Sequence, residues 1–244
     1  MDENSIKCKG LSIAQGSFGM EQISLEIKRG YITGVIGKNG SGKTTFLKGI
    51  AGILMATNSK VEIEGLSYKA EEAMIRKMIS VVYDKPNFSL KRPARKLVQE
   101  IALFEPDFDM QFFEDNMSRF ELELDQKLNA YSVGMMKKFM LIMALARRPL
   151  ILILDEPTSG VDPVSRIQML DMIQEFMEDE KHTVLFSTHV TSDLDKIADY
   201  IILIHEGKIL YHKEKEELKE EYRAIGVLPD MEDIMRCSLE EVPR

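Results

Sequence analysis

Eight consecutive residues constrain this chain more than any other feature. Gly37-Lys38-Asn39-Gly40-Ser41-Gly42-Lys43-Thr44 fits the pattern G-x-x-x-x-G-K-[ST]. The run lies between an apolar, β-rich stretch, Tyr31 to Ile36, and a segment expected to be helical from about Lys43 to Ile53. Glycines at such a place let backbone N–H groups turn inward around an anion without a Cβ in the way, and the helix N-terminus adds its partial positive charge. Lys43 is then the cation for the outer phosphates of a nucleotide, the Thr44 hydroxyl a ligand for Mg²⁺, and Thr45 its neighbour in the first turn. The competing reading is a glycine-rich turn with no ligand.

Two further segments point to the same chemistry. Ile151-Leu152-Ile153-Leu154-Asp155-Glu156 is an apolar strand ending in two carboxylates. Strands of a parallel sheet open onto the ligand crevice at their C-terminal ends. Asp155 there suits the holding of Mg²⁺, and Glu156 suits the polarising of an attacking water. Surface carboxylates after a buried strand are the alternative. His189 follows Phe186-Ser187-Thr188 at another strand end, where it can hydrogen-bond a γ-phosphate and the water; a histidine there, taken alone, is more often structural.

The rest of the chain fits an α/β fold. Ser5–Lys9 and Ile23–Ile27 are strand-like, Val61–Glu64 is a short strand and Ile79–Tyr83 another. From about residue 86 to 130 the pattern becomes helical, with Pro93–Phe104 and Met110–Phe120 as helices of an insertion. Ser132 caps a long helix that ends before Pro149, and three apolar strands, Leu150–Asp155, Thr183–Ser187 and Tyr200–Ile204, alternate with helices. The expected fold is therefore a P-loop NTPase core with a largely parallel sheet, an N-terminal antiparallel β subdomain and a helical insertion, in one domain over residues 1–244. A charged tail occupies about residues 213–244, and Lys213–Arg223 reads as a solvated surface helix because its charges alternate in sign. The 16 methionines, several of them on the helix from Ser132, read as core filler.

These segments, in this order, resemble the ATPase subunit of an ABC transporter from about Lys7 to Tyr211. Gly37–Thr44 resembles its Walker A motif, Ile151–Glu156 its Walker B motif, Ser159-Gly160-Val161-Asp162 its D-loop and His189 its switch histidine. Tyr131-Ser132-Val133-Gly134-Met135 stands where the family's signature motif belongs, with Val133 and Met135 in place of the first Gly and the Gln of Leu-Ser-Gly-Gly-Gln. The resemblance implies ATP and Mg²⁺ as ligands and a head-to-tail dimer in which Ser132 and Gly134 of one subunit close over the γ-phosphate held by the other. It also implies a separate membrane-spanning permease subunit and a cytoplasmic site on the inner face of the cell membrane. Asp84 stands where the family places a Gln that contacts Mg²⁺, unless the loop is aligned differently and Asp84 is a simple loop residue before Pro86. Phe18 is the aromatic expected to stack on adenine, or else a core residue. The Arg29-Gly30-Tyr31-Ile32-Thr33-Gly34 lead-in looks most like bacterial drug- or antibiotic-exporter ATPases.

Composition narrows the alternatives. A net charge of −8 gives no footprint for bare nucleic acid. Cys8 and Cys237, the two cysteines, read as free thiols, and the four histidines show no zinc-ligand spacing with them. The first ten residues are polar and charged, unlike a secretory leader, and the longest apolar runs, Phe139–Ala146 and Leu150–Leu154, are too short to span a bilayer. A ribosome- or DNA-directed relative would carry a second cassette or a long coiled coil. A GTPase would carry an Asn-Lys-x-Asp motif, and the Asp155-Glu156 pair is unusual for a small-molecule kinase. A non-hydrolysing binding module remains the third rival, opposed by Glu156 and His189.

Overall fold

A computed structural model describes residues 3–16, 18–54, 56–57, 60–226 and 230–240. The chain opens with two long strands, β1 (Asn4–Gln15) and β2 (Phe18–Lys28), followed by β3 (Ile32–Ile36) and helix α1 (Lys43–Ile50). Short strands β4 (Ala56–Thr57), β5 (Lys60–Ile63) and β6 (Leu66–Ser67) lead into α2 (Tyr68–Met78) and β7 (Ile79–Val82). The insertion supplies α3 (Ala94–Phe104) and α4 (Met110–Arg119). Then come α5 (Val133–Ala146), β8 (Ile151–Asp155), α6 (Pro163–Phe176), β9 (Thr183–Ser187), α7 (Thr191–Ile197), β10 (Tyr200–His205), β11 (Lys208–Glu214), α8 (Lys215–Ala224) and α9 (Met231–Glu240).

Two sheets result. The antiparallel sheet runs β2-β1-β5-β6, with β4 also on β1. The second runs β11-β10-β3-β9-β8-β7, parallel throughout except for the β10–β11 pair. Side chains alternate across its central strands. Leu152, Leu154, Val184, Phe186, Ile201 and Leu203 join one core cluster with the helices; Ile151, Ile153, Leu185, Ile202 and Ile204 join another with β1 and α1. That period of two, apolar on both faces, is why these strands read as unbroken apolar runs. Gly49 permits the approach of α1 to β1, since a Cβ there would lie 2.1 Å from the Ile13 side chain.

The insertion is anchored by aromatics. Phe88, Phe113 and Tyr131 surround Phe139 of α5 with ring centroids 5.9, 6.2 and 6.0 Å away. Each strand and insertion helix expected from the sequence overlaps one in the structure, but β1 and β2 run well beyond their expected bounds, and β4, β6 and β11 were not expected. Helix α1 stops at Ile50 rather than Ile53, because Gly52 turns left-handed at φ 66°. The Lys213–Arg223 stretch is not one solvated helix: Lys213 and Glu214 complete β11, and α8 buries Leu218 and Tyr222. The weakly patterned tail forms α9, which buries Met231 and Ile234 against the core. Ser17 and residues 227–229 and 241–244 lie outside the described residues. No helix among the described residues is long and apolar enough to cross a membrane.

Candidate nucleotide site

The C-terminal ends of β3, β8 and β9 lie side by side, with Asp155 in register with Ser187, and the 37–44 loop springs from β3. The loop's glycines have steric reasons. A Cβ on Gly37 would lie 2.2 Å from the Ile204 carbonyl oxygen, and one on Gly42, at φ 114°, 2.8 Å from the Phe18 ring. Gly40 faces open space at φ 80°, and Lys38 and Asn39 beside it are exposed. Phe18 is partly buried against the core, and its ring reaches the loop at Gly42.

Lys43 is buried and donates to the Gly37 carbonyl at 2.9 Å, with Glu156 Oε1 at 3.5 Å. The exposed Thr44 donates its hydroxyl to Asp155, 2.9 and 3.0 Å from the two carboxylate oxygens; Thr45 is buried behind it. Ser187 Oγ donates to Asp155 Oδ1 at 2.8 Å and accepts from the Glu156 N–H at 3.1 Å. His189 places Nδ1 2.6 Å from Glu156 Oε2, and its backbone N–H donates to the same oxygen at 3.2 Å. Lys43, Thr44, Asp155, Glu156 and His189, chosen from separate segments of sequence, thus form one connected cluster.

The residues present fit both a phosphate chain and Mg²⁺. Ser41 Oγ is buried at the loop without a hydrogen-bond partner, as a donor reserved for a phosphate oxygen would be. Thr44 and Asp155 supply two adjacent hard oxygen donors, and among the described residues no cluster of three or more acidic, His or Cys side chains could hold a metal by itself. That is the donor set of an ion completed by phosphate and water.

Ser132, Gly134 and Asp162 lie on neighbouring helix ends. The exposed Ser132 caps α5 by accepting from the Met135 N–H at 3.1 Å, and Asp162 caps α6 by accepting from Val164 and Ser165. Those hydrogen bonds, led by the one from Ser165, hold the Asp162 carboxyl below its ordinary range. A Cβ on Gly134 would lie 3.0 Å from both Asp162 Oδ2 and Ser165 Oγ, so glycine is what lets the two helix ends meet. Asp84 stands on the loop after β7 and takes Lys137 Nζ at 3.0 Å.

Sequence reasoning passed over three groups here. Ser187 earned notice only as the lead-in to His189, yet it braces both carboxylate residues. Lys137 was hidden in the methionine-rich helix. Asp193, fully buried on α7, accepts from Thr158 Oγ1 at 2.6 Å and Arg166 Nε at 2.5 Å, tying the β8–α6 connection to the segment after His189. The one sequence signal for these was position: each lies within a few residues of a motif.

A family model described as "ABC transporter" matches residues 20–159. The chain belongs to the ABC transporter family. It is 28% identical over 98% of its length to the ABC transporter ATP-binding protein YtrB of Bacillus subtilis, covering 82% of that protein. It is 31% identical to the B. subtilis ABC transporter ATP-binding protein YdbJ, over 86% of this chain and 69% of the relative. With the bacitracin transport ATP-binding protein BcrA of Bacillus licheniformis it shares 28%, over 89% of this chain and 72% of that one. Among solved structures, an ATP-binding subunit of an ABC transporter superposes with a TM-score of 0.83 at 20% identity, covering 96% of this chain and 99% of the other. The chain is the ATP-binding and ATP-hydrolysing subunit of such a transporter, and it works with a separate membrane-spanning subunit.

Proposed function

We propose that the chain hydrolyses Mg²⁺-ATP in a head-to-tail pair, with itself or a similar subunit, and that each closure drives a permease docked beside its helical insertion. The observation carrying this is the convergence of Lys43, Thr44, Asp155, Glu156 and His189 at adjoining strand ends.

The residues divide the work. The 37–44 backbone and Lys43 bind the β- and γ-phosphates. Thr44 and Asp155 would hold Mg²⁺, which when bound neutralises charge on the phosphate oxygens. Glu156 orients the water and draws its proton, and His189, 2.6 Å from Glu156 Oε2, fixes that carboxylate's direction. Phe18 offers a ring to adenine at the edge of the loop.

A second subunit supplies the remaining groups. Ser132 and Val133 are exposed at the start of α5, with the apolar Val164 and Ile167 exposed on α6, next to Asp162. An exposed hydroxyl, a helix N-terminus and a rim of apolar side chains suit closure over a partner's γ-phosphate. The permease has a groove to enter, between the β7 loop and the insertion, lined by Tyr83, Asn87, Phe88, Ile101, Met143 and Arg147. Residence on the inner face of the cell membrane follows from that docking. Export of an antibiotic-like cargo is the branch favoured by the Arg29–Gly34 lead-in, and a bacitracin transport protein stands among the relatives.

The experiment is Glu156→Gln with ATP and Mg²⁺, followed by light-scattering chromatography. A dimer that accumulates with ATP and dissolves without it is expected. A mutant that stays monomeric, in a protein active without its permease, removes the shared-site reading.

A further inference from the structure

We propose that Lys137 and Asp84 form a positioning pair that fixes the backbone of Glu156 and ties it to the loop entering the helical insertion. The proposal deepens the reading of the site above and rests on Glu156 being the group that acts on water.

Glu156 is held at φ 51°, a left-handed conformation uncommon for a residue with a Cβ. Both sides of the residue are pinned. Its N–H is taken by Ser187 O and Oγ, each at 3.1 Å, and its carbonyl accepts from Lys137 Nζ at 2.9 Å. The same ammonium sits 3.0 Å from Asp84 Oδ1. Lys137 is buried, with only 6% of its side chain exposed, so its charge needs both acceptors. Asp84 is the one carboxylate within salt-bridge distance of it among the described residues. Asp84 therefore has its charge compensated by a buried cation of the protein itself.

The pair also has a mechanical setting. Asp84 lies between Tyr83 and the Asn87–Phe88 step, which line the groove assigned to the permease. Phe88 stacks edge-on against Phe139, two residues beyond Lys137 on α5. A displacement of this loop thus reaches the Lys137 ammonium through the ion pair and through α5, and from there the Glu156 carbonyl. Asp84 and Lys137 act through Glu156, and neither needs to touch ATP.

The test uses the full chain with Asp84→Asn, Lys137→Met, the double variant and Asp84→Glu. Fluorescent-nucleotide binding, kcat, KM and the half-saturating Mg²⁺ concentration are measured for each. Misplacing a reacting group by a fraction of an ångström costs on the order of tenfold in rate, so kcat should fall about tenfold in each single variant. Nucleotide binding and KM should stay within about twofold, the double variant should be no worse than the worse single one because the pair acts as a unit, and Asp84→Glu should recover most of the rate. The proposal is overturned if Asp84→Asn moves the Mg²⁺ midpoint while Lys137→Met does not, which would make Asp84 a metal-facing group. It is equally overturned if the two losses multiply, or if kcat is unchanged. Should Lys137→Met not fold, Lys137→Gln and the Asp84 variants decide the same points. If Glu156→Gln retains the wild-type rate, the underlying reading of Glu156 fails instead, separately from the pair.

Discussion

Ser187→Ala removes a buried hydroxyl that serves two carboxylate residues of the proposed site at once. Its Oγ donates to Asp155 Oδ1 at 2.8 Å and accepts from the Glu156 N–H at 3.1 Å, and the residue has no exposed surface. A hydrogen bond to a charged group contributes roughly 1.5–3 kcal/mol. Two compensations limit the loss. The Glu156 N–H keeps the Ser187 carbonyl at 3.1 Å, and Asp155 keeps the Thr44 hydroxyl. About 2 kcal/mol is therefore the expected cost, and in a chain of this size each kcal/mol moves Tm by about 2–4 °C, giving a fall of about 4–8 °C. Function should suffer differently. Asp155 would be oriented by Thr44 alone, and loss of an outer-shell partner weakens metal binding by at least about tenfold. Thermal denaturation without nucleotide, beside a Mg²⁺ titration of ATPase rate, separates the two effects. A Tm within about a degree of wild type, with an unshifted Mg²⁺ midpoint, would refute the bracing role.

Three other outcomes follow from single side chains. Lys43→Ala should abolish turnover and greatly weaken nucleotide binding, since it deletes the buried cation between Gly37 O and Glu156; equilibrium binding and a phosphate-release assay check this. Burial, and next the charge of Lys28, hold the His212 imidazole below its ordinary value of 6.5. The unfolded chain therefore takes up that proton first, so stability should decline as pH falls below about 6.5, and urea titrations of His212→Gln should lack that part of the decline. Burial pushes the Cys8 thiol up to about 11, while Cys237 is only half-buried, so a thiol reagent at pH 8 should label Cys237 first and Cys8 only on unfolding.

The legible parts of this protein were those whose signal is local. A glycine-rich loop between an apolar strand and a helix announces itself in eight residues, and β8 and β9 are buried on both faces, so their sequences show unbroken apolar runs. Ser132 could be placed because a helix cap is read from its own first turn, whereas Asp162 came only from the D-loop resemblance, without its capping of α6. What escaped depends on distant chain. Helix α9 carries an ordinary charged pattern and forms where Met231 and Ile234 find a groove beside α7. The charges of Lys213–Arg223 concealed Leu218 and Tyr222 because α8 buries only a narrow stripe. Ser187 matters through its register with Asp155, and Lys137 through a contact with Asp84, 53 residues away, neither of which has a sequence signature.

Helix α5 gathers these long-range effects. Its first turn presents Ser132 to solvent, and Gly134 locks that turn against Asp162 and Ser165 at the start of α6. One turn further, Lys137 reaches back to Glu156 and Asp84, and Phe139 holds the insertion through Phe88 and Phe113. A rigid helix of 14 residues cannot move at one of these points without moving at the others. If Ser132 closes over a partner's phosphate, the same displacement must be felt by the Glu156 carbonyl of its own subunit and by the loop lining the groove. Coupling between two ATP sites and a docked permease then needs no additional element. It requires only that α5 be packed tightly enough to act as one body, and ten of its residues from Met136 to Ala146 are buried.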